Sequence, residues 1–155
     1  MEPTPILEFI LRLLAATAAG GAVGLERQIN NKSAGLRTNT LVAVGAAIYV
    51  LVNVRLTETG GDPTRIIGQI VTGIGFLGAG VILHRGINVQ GLTTAATIWC
   101  SAALGVLAGL GFYVETLVAT VLIILINTAF KKADKWVMLD KKNNKKGEEE
   151  DHSFE

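Results

Sequence analysis

Residues 92–130 read LTTAATIWCSAALGVLAGLGFYVETLVATVLIILINTAF, and Glu115 is their only charged residue. As a single helix this stretch would be about 58 Å long at 1.5 Å per residue, nearly twice a hydrocarbon core. It must turn back on itself, and Gly109, Gly111 and Glu115 mark the turn. The stretch therefore predicts two membrane spans, at 94–111 and 114–130. Working outward, similar apolar runs occur at 6–25, 40–56 and 66–83, each close to the roughly 20 residues a spanning helix needs. The expectation is an all-α integral membrane protein with five transmembrane helices in residues 1–130. The competing reading is a soluble bundle of buried helices. It fails because five apolar stretches leave almost nothing to face water.

The chain has 155 residues and 27 charged ones, and 14 of the 27 lie in residues 131–155. The first 130 residues hold only 13, far below the roughly 25% charged content of soluble domains. This distribution excludes a basic nucleic-acid-binding domain and an intrinsically disordered chain. A lone Cys100 excludes a disulfide scaffold and reads as a small apolar residue in the fourth span. The charged segment 131–155 reads as a solvated cytoplasmic tail. Its lysines are placed to touch anionic lipid. Met-Glu-Pro-Thr-Pro at the start lacks the basic region of a signal peptide.

Loop charges orient the spans, since positive loops stay in the cytoplasm. The first loop holds Arg27, Lys32 and Arg37, the third His84 and Arg85, and the tail opens with Lys131, Lys132 and Lys135. The second loop balances Arg55 and Arg65 against Glu58 and Asp62, and the fourth has only Glu115. Five spans with the N-terminus outside and the C-terminus inside satisfy this alternation. Trp99, Tyr113 and Trp136 fall near the interfaces.

Lipid offers no hydrophobic drive between helices, so close packing through small residues must supply association. The first span carries Ala16, Gly20 and Gly24. The third carries Gly68, Thr72, Gly75 and Ala79, with Gln69, Gly73 and Gly80 beside them. The fourth carries Ser101, Gly105, Ala108 and Gly109, and the second has the weaker set Ala43, Gly45 and Ala46. Gly20, Gly24, Gly68, Gly75, Gly105 and Gly109 are the expected packing positions, within one chain or between copies. The alternative use of the 73–80 glycines is a locally opened helix lining a site. The Val-, Leu- and Ile-rich fifth span suits lipid.

Ionisable groups at membrane depth are costly and default to functional candidates. Asp62 before Pro63 is a strong helix start, with Arg65 in reach to pair with it. Asp62 is also a weak candidate for a cation such as Mg²⁺, which takes one or two carboxylates plus water. Gln69 lies one turn further in. Glu8 and Arg12 are spaced for a local ion pair. Glu26, Gln28 and Asn39 enrich the first loop beyond what orientation requires, so it could bind a lipid phosphate, a nucleotide or a protein. Thr38 or Asn39 is placed to cap the second span, and Thr93 or Thr94 the fourth. No nucleophile, base or phosphate-loop pattern occurs, so an enzyme is not expected. No cofactor is expected beyond a weakly indicated Mg²⁺.

Five short stretches together resemble the membrane domain of the MgtC/SapB family: GLERQ at 24–28, AGLRT at 34–38, DPTR at 62–65, QIVTGIGFLGAG at 69–80 and GLTTAA at 91–96. The resemblance implies a multi-pass protein of the bacterial cytoplasmic (inner) membrane, in a virulence-associated family linked to growth under magnesium limitation and survival inside host cells. It implies a regulator of magnesium homeostasis or membrane energetics working through other membrane proteins, the F-type ATP synthase or a transporter among them. Direct transport of Mg²⁺ or another ion is the alternative, and a structural dimerisation module a third. A homo-oligomer is expected, a dimer first. Glu26, Arg27, Arg37, Asp62, Arg65, Gln69, Thr93 and Thr94 carry over as motif positions without assigned chemistry. Asn39 departs from the family pattern, which commonly has His there. Longer members add a soluble C-terminal domain of the ACT type where this sequence shows its charged tail, so roles of that domain are not expected here.

Overall fold

A computed structural model describes residues 6–57, 62–85 and 88–130. Five helices follow in chain order: α1 Ile6–Ile29, α2 Leu36–Thr57, α3 Pro63–Gly80, α4 Leu92–Leu110 and α5 Tyr113–Phe130. The strands β1 Leu83–Arg85 and β2 Asn88–Gln90 form a short antiparallel hairpin between α3 and α4, pairing Leu83 with Gln90. Among the described residues this hairpin is the one departure from the expected all-helical class. The chain divides into two compact units, Met1–Ile123 and Ile124–Glu155. In the second, the described residues 124–130 are helical, and Thr128 donates to the Ile124 carbonyl at 2.7 Å. The tail 131–155 lies outside the described residues, as does its Trp136.

Helix ends follow capping chemistry rather than hydropathy. α1 runs one turn past the expected end at residue 25 and takes Glu26 and Arg27 into the helix. α2 begins at Leu36, so Arg37, Thr38 and Asn39 are helical. The expected cap by Thr38 or Asn39 is therefore incorrect; the Gln28 side-chain oxygen instead accepts from the Leu36 N–H at 3.3 Å. α3 starts and ends three residues earlier than expected, with Pro63 in its first turn and Asp62 as N-cap. Its C-cap is Val81, whose N–H bonds back to Gly78. α4 is preceded by Gly91 in the left-handed region (φ 94°) with no side-chain cap, which corrects the cap assigned to Thr93 or Thr94. Glycine is required at 91 because a Cβ there would collide with the Val81 carbonyl oxygen as well.

Among the described residues four helices are long and apolar enough to cross a membrane: α1, α2, α4 and α5. The expected third span, α3, is not one of them. It has 18 residues, about 27 Å of helix, and spends them on Pro63, Thr64, Arg65, Gln69 and five glycines.

The core is made by α1, α2 and α4, with Ala16, Ala47 and Ala108 wholly buried at its centre. Small residues let these backbones approach closely. A Cβ on Gly20 would stand 2.7 Å from both the Ala43 Cβ and the Asn39 carbonyl oxygen, and on Gly24 2.6 Å from the Leu36 Cα. On Gly105 it would overlap the Ala43 carbonyl, and on Gly109 it would meet Ala47 and Val50 at 3.0 Å. Gly20, Gly24, Gly105 and Gly109 thus pack helices as expected. Gly68 and Gly75 do not pack within the described residues: none lies within 4 Å of a Cβ at either position, nor at Gly73 or Gly80.

Candidate functional site: a polar seam between α1, α2 and α4

The buried polar side chains concentrate where α4 faces α1 and α2. Arg27, in the last turn of α1, is 3% exposed and donates from Nη2 to the Thr94 hydroxyl at 2.7 Å. Ser33 and Thr94 hydroxyls lie 3.2 Å apart. At the other end of the same helix pair, Arg12 Nη1 donates to the Gly109 carbonyl at 2.8 Å while Nη2 pairs with Glu8. The Glu8–Arg12 pair is the local one expected. Its added role is to satisfy a carbonyl in the last turn of α4, where cations are favoured. The two links show α1 and α4 running antiparallel in register, with Arg27 near Thr94 and Arg12 near Gly109.

One turn deeper, Asn39 is fully buried and fully used. Its amide nitrogen donates to the carbonyls of Ala34 and, at 3.0 Å, Gly35, and its oxygen accepts from the Ser101 hydroxyl at 2.8 Å. Buried polar groups need such partners. Asn39 therefore joins α2 to α4 and also holds the connecting loop, where Ala34 adopts φ 56°, an unfavourable backbone for a residue with a Cβ. The sequence marks Asn39 as a loop or cap residue and Ser101 as a small packing residue, but it does not show that the two pair. The signal that could have found them is a polar residue placed opposite another across two apolar spans.

The other motif residues divide. Glu26 accepts from the Asn30 amide at 2.6 Å. Arg37 and Thr93 are exposed, and the Thr93 carbonyl takes the Thr97 hydroxyl at 2.8 Å. Asp62 is solvent-facing and accepts from the Thr64 N–H at 2.9 Å and hydroxyl at 2.8 Å. The Thr64 N–H first, and then its hydroxyl, hold the Asp62 carboxyl below its usual range, with Arg65 a smaller electrostatic contribution. Asp62 is thus a helix cap, bound to Thr64 rather than ion-paired with Arg65. Gln69 is exposed and lines a largely apolar groove of about 480 Å³ between α2 and α3, with Tyr49, Gly45 and Gly73. A second groove of about 280 Å³ separates α3 from α4 at Ile70, Trp99 and Val106. Glu26 and Arg27 therefore belong to one end of the helix core, Asp62 and Arg65 to the start of α3, and they do not converge. No cluster of three metal-ligating side chains occurs among the described residues.

No solved structure matches this chain. Among curated proteins, it is 53% identical over 125 residues to "Protein MgtC" of Salmonella typhimurium strain LT2, covering 81% of this chain and 53% of that protein. It is 52% identical over 127 residues to "Protein MgtC" of Brucella abortus strain 2308, covering 82% and 53% respectively. An uncharacterized protein of Synechocystis, slr0014, is 52% identical over 124 residues, covering 80% and 53%. The chain spans about half the length of these relatives. The model of the MgtC family matches residues 13–136, which include α2, α3, α4, α5 and the polar seam apart from Glu8 and Arg12. With that match and identities above one half across the membrane helices, the chain belongs to the MgtC family.

Proposed function

We propose that this chain is the membrane part of a non-enzymatic regulator of magnesium homeostasis or membrane energetics, which acts by contacting another membrane protein. The observation that carries the reading is α3. Among the described residues nothing meets its glycines at 68, 73, 75 and 80, and Phe76 is 82% exposed. In a membrane, helices associate through such close-packing faces. This reading takes the α3 face as a packing surface whose partner is a second protein, since among the described residues nothing covers those glycines. The relatives named MgtC support the link to magnesium through their family.

The accompanying topology has five spans, with α3 as the third, the N-terminus outside and the C-terminus in the cytoplasm of a bacterium. Support comes from the loop charges and from the Arg27–Thr94 bond, which brings the first and third loops to the same end of the core. A homo-oligomer, a dimer first, would use the same α3 face. Crosslinking in native membranes followed by pulldown is the test. Enrichment of a second membrane protein, the F-type ATP synthase or a transporter first, is the expected result. Recovery of this chain alone overturns contact with a different protein.

Ion transport is the second reading, favoured by Gln69 and Gly73 lining the α2–α3 groove. Purified protein in liposomes should then move Mg²⁺ or another ion, and Gln69→Leu should weaken the flux. Ion-tight liposomes with verified incorporation end it. A purely structural dimerisation module is the third. Gly105 is committed to packing within the chain, so the substitution that tests dimerisation is Gly75→Leu on α3.

A further inference from the structure

Arg27 poses an electrostatic problem that the described residues solve only in part. Its side chain is 97% removed from solvent, yet among the described residues it makes no ion pair. One hydrogen bond, to the neutral Thr94 hydroxyl, is its described side-chain partner, and its Nε is buried without an acceptor. Glu26, next in sequence, is engaged by Asn30. Burying a charge without a counter-charge is expensive. The C-terminal end of α1 favours a cation at this place, but Thr94 sits in the first turn of α4, whose N-terminal end opposes one. The two helix ends offset each other, and Glu26 acts on the guanidinium electrostatically without a described ion pair to it.

The same place is rich in hydrogen-bond donors. Gly91 gives α4 no side-chain cap, and the first intrahelical bond of this turn is Ala95 N–H to the Gly91 carbonyl. The backbone N–H groups of Leu92, Thr93 and Thr94 precede it, and such groups at a 19-residue helix start suit an anion. The Ser33 hydroxyl, on the exposed loop between α1 and α2, adds a donor beside Thr94. A guanidinium fork, a hydroxyl and an open helix N-terminus are together the recognition chemistry of a phosphate group.

We infer that Arg27, Ser33 and the first turn of α4 form a binding site for a phosphate-bearing anion, either an anionic phospholipid headgroup or free phosphate. The anion would neutralise Arg27 and staple the end of α1 to the start of α4, so occupancy would stabilise the helix core.

The test uses the full chain in nanodiscs. One arm measures equilibrium binding of labelled inorganic phosphate in neutral phosphatidylcholine. The other measures phosphatidylglycerol retained by the protein in native mass spectrometry, from discs containing both lipids. Binding in the first arm identifies free phosphate as the source, and binding in the second alone identifies the lipid headgroup. In either case Arg27→Gln should weaken binding at least about tenfold, since hydrogen bonds to a charged group carry that much affinity. Ser33→Ala should weaken it several-fold, and Arg55→Gln, removing a cation from the last turn of α2, should leave it unchanged. If Arg27→Gln fails to fold by circular dichroism, Ser33→Ala decides. The site is overturned if the wild type retains neither probe, or if the folded Arg27→Gln or Ser33→Ala protein binds as tightly as the wild type.

Discussion

The glycines of α1 and α4 and the glycines of α3 look alike in sequence and do opposite things. Gly20, Gly24, Gly105 and Gly109 sit against backbone atoms of α2 or of the loop before it, so that no side chain could be inserted. Gly68, Gly73, Gly75 and Gly80 have open space where a Cβ would go. Polar residues follow the same division: Arg27, Asn39, Thr94 and Ser101 are buried and hydrogen-bonded between helices, whereas Gln69 and Thr72 of α3 are exposed. The trio α1, α2 and α4 is closed within the chain, and α3 presents a surface outward. Small residues in a membrane helix indicate that something packs there, but not whether the same chain supplies it.

Substitutions that break the trio should have the largest effects. Gly105→Leu drives a side chain into the Ala43 carbonyl, and overpacking of this kind costs about 3 kcal/mol or more. Loss of folded protein in detergent, read by thermal unfolding, is the expected outcome. Asn39→Ala follows, at about 2 kcal/mol, because the Ser101 hydroxyl and the Ala34 carbonyl lose their buried partner. Asn39→Leu should be no better, which separates lost hydrogen bonding from lost volume.

A smaller change of opposite sign is expected at the loop the trio holds. Ala34→Gly removes a Cβ from a left-handed backbone and should stabilise by about 1 kcal/mol, seen as a raised midpoint in the same unfolding assay. Smaller still is the pH response at the start of α3. The Asp62 carboxyl is held below its usual range, so its contribution is present above the unfolded-state pKa and is lost as pH falls through the folded one. Protection factors at Thr64 and Arg65, corrected for the intrinsic pH dependence of amide exchange, should therefore fall in acid. Asp62→Asn, which retains a capping oxygen, should remove that dependence.

The last prediction is the absence of an effect. Gly75→Leu meets open space and should leave unfolding of the chain unchanged, while abolishing crosslinks made through α3. A loss of stability comparable to that of Gly105→Leu would erase the distinction between the two regions.

Much of this was legible along the chain. The helices at 6–29, 36–57, 92–110 and 113–130 announce themselves by length and apolarity. Asp62-Pro63 marks the start of α3 because a cap and its proline are local chemistry. The Glu8–Arg12 pair is equally local, set by the helix repeat. The ends near residues 29 and 36 were less visible, since polar residues in a helix's last or first turn look like loop. The Arg27–Thr94 and Asn39–Ser101 bonds were invisible, because each joins residues more than 60 positions apart.

The sequence alone determined that this is a membrane-helix protein, which motifs it carries and which charges cluster at which loops, because these depend on composition and on neighbours a few residues apart. Only the tertiary structure decided that Gly105 is locked and Gly75 is open, that Asn39 is a joint rather than a cap, and that Arg27 is buried beside the start of α4. Those properties depend on which helix faces which, and helices with equally small, equally apolar faces do not state their partners one residue at a time.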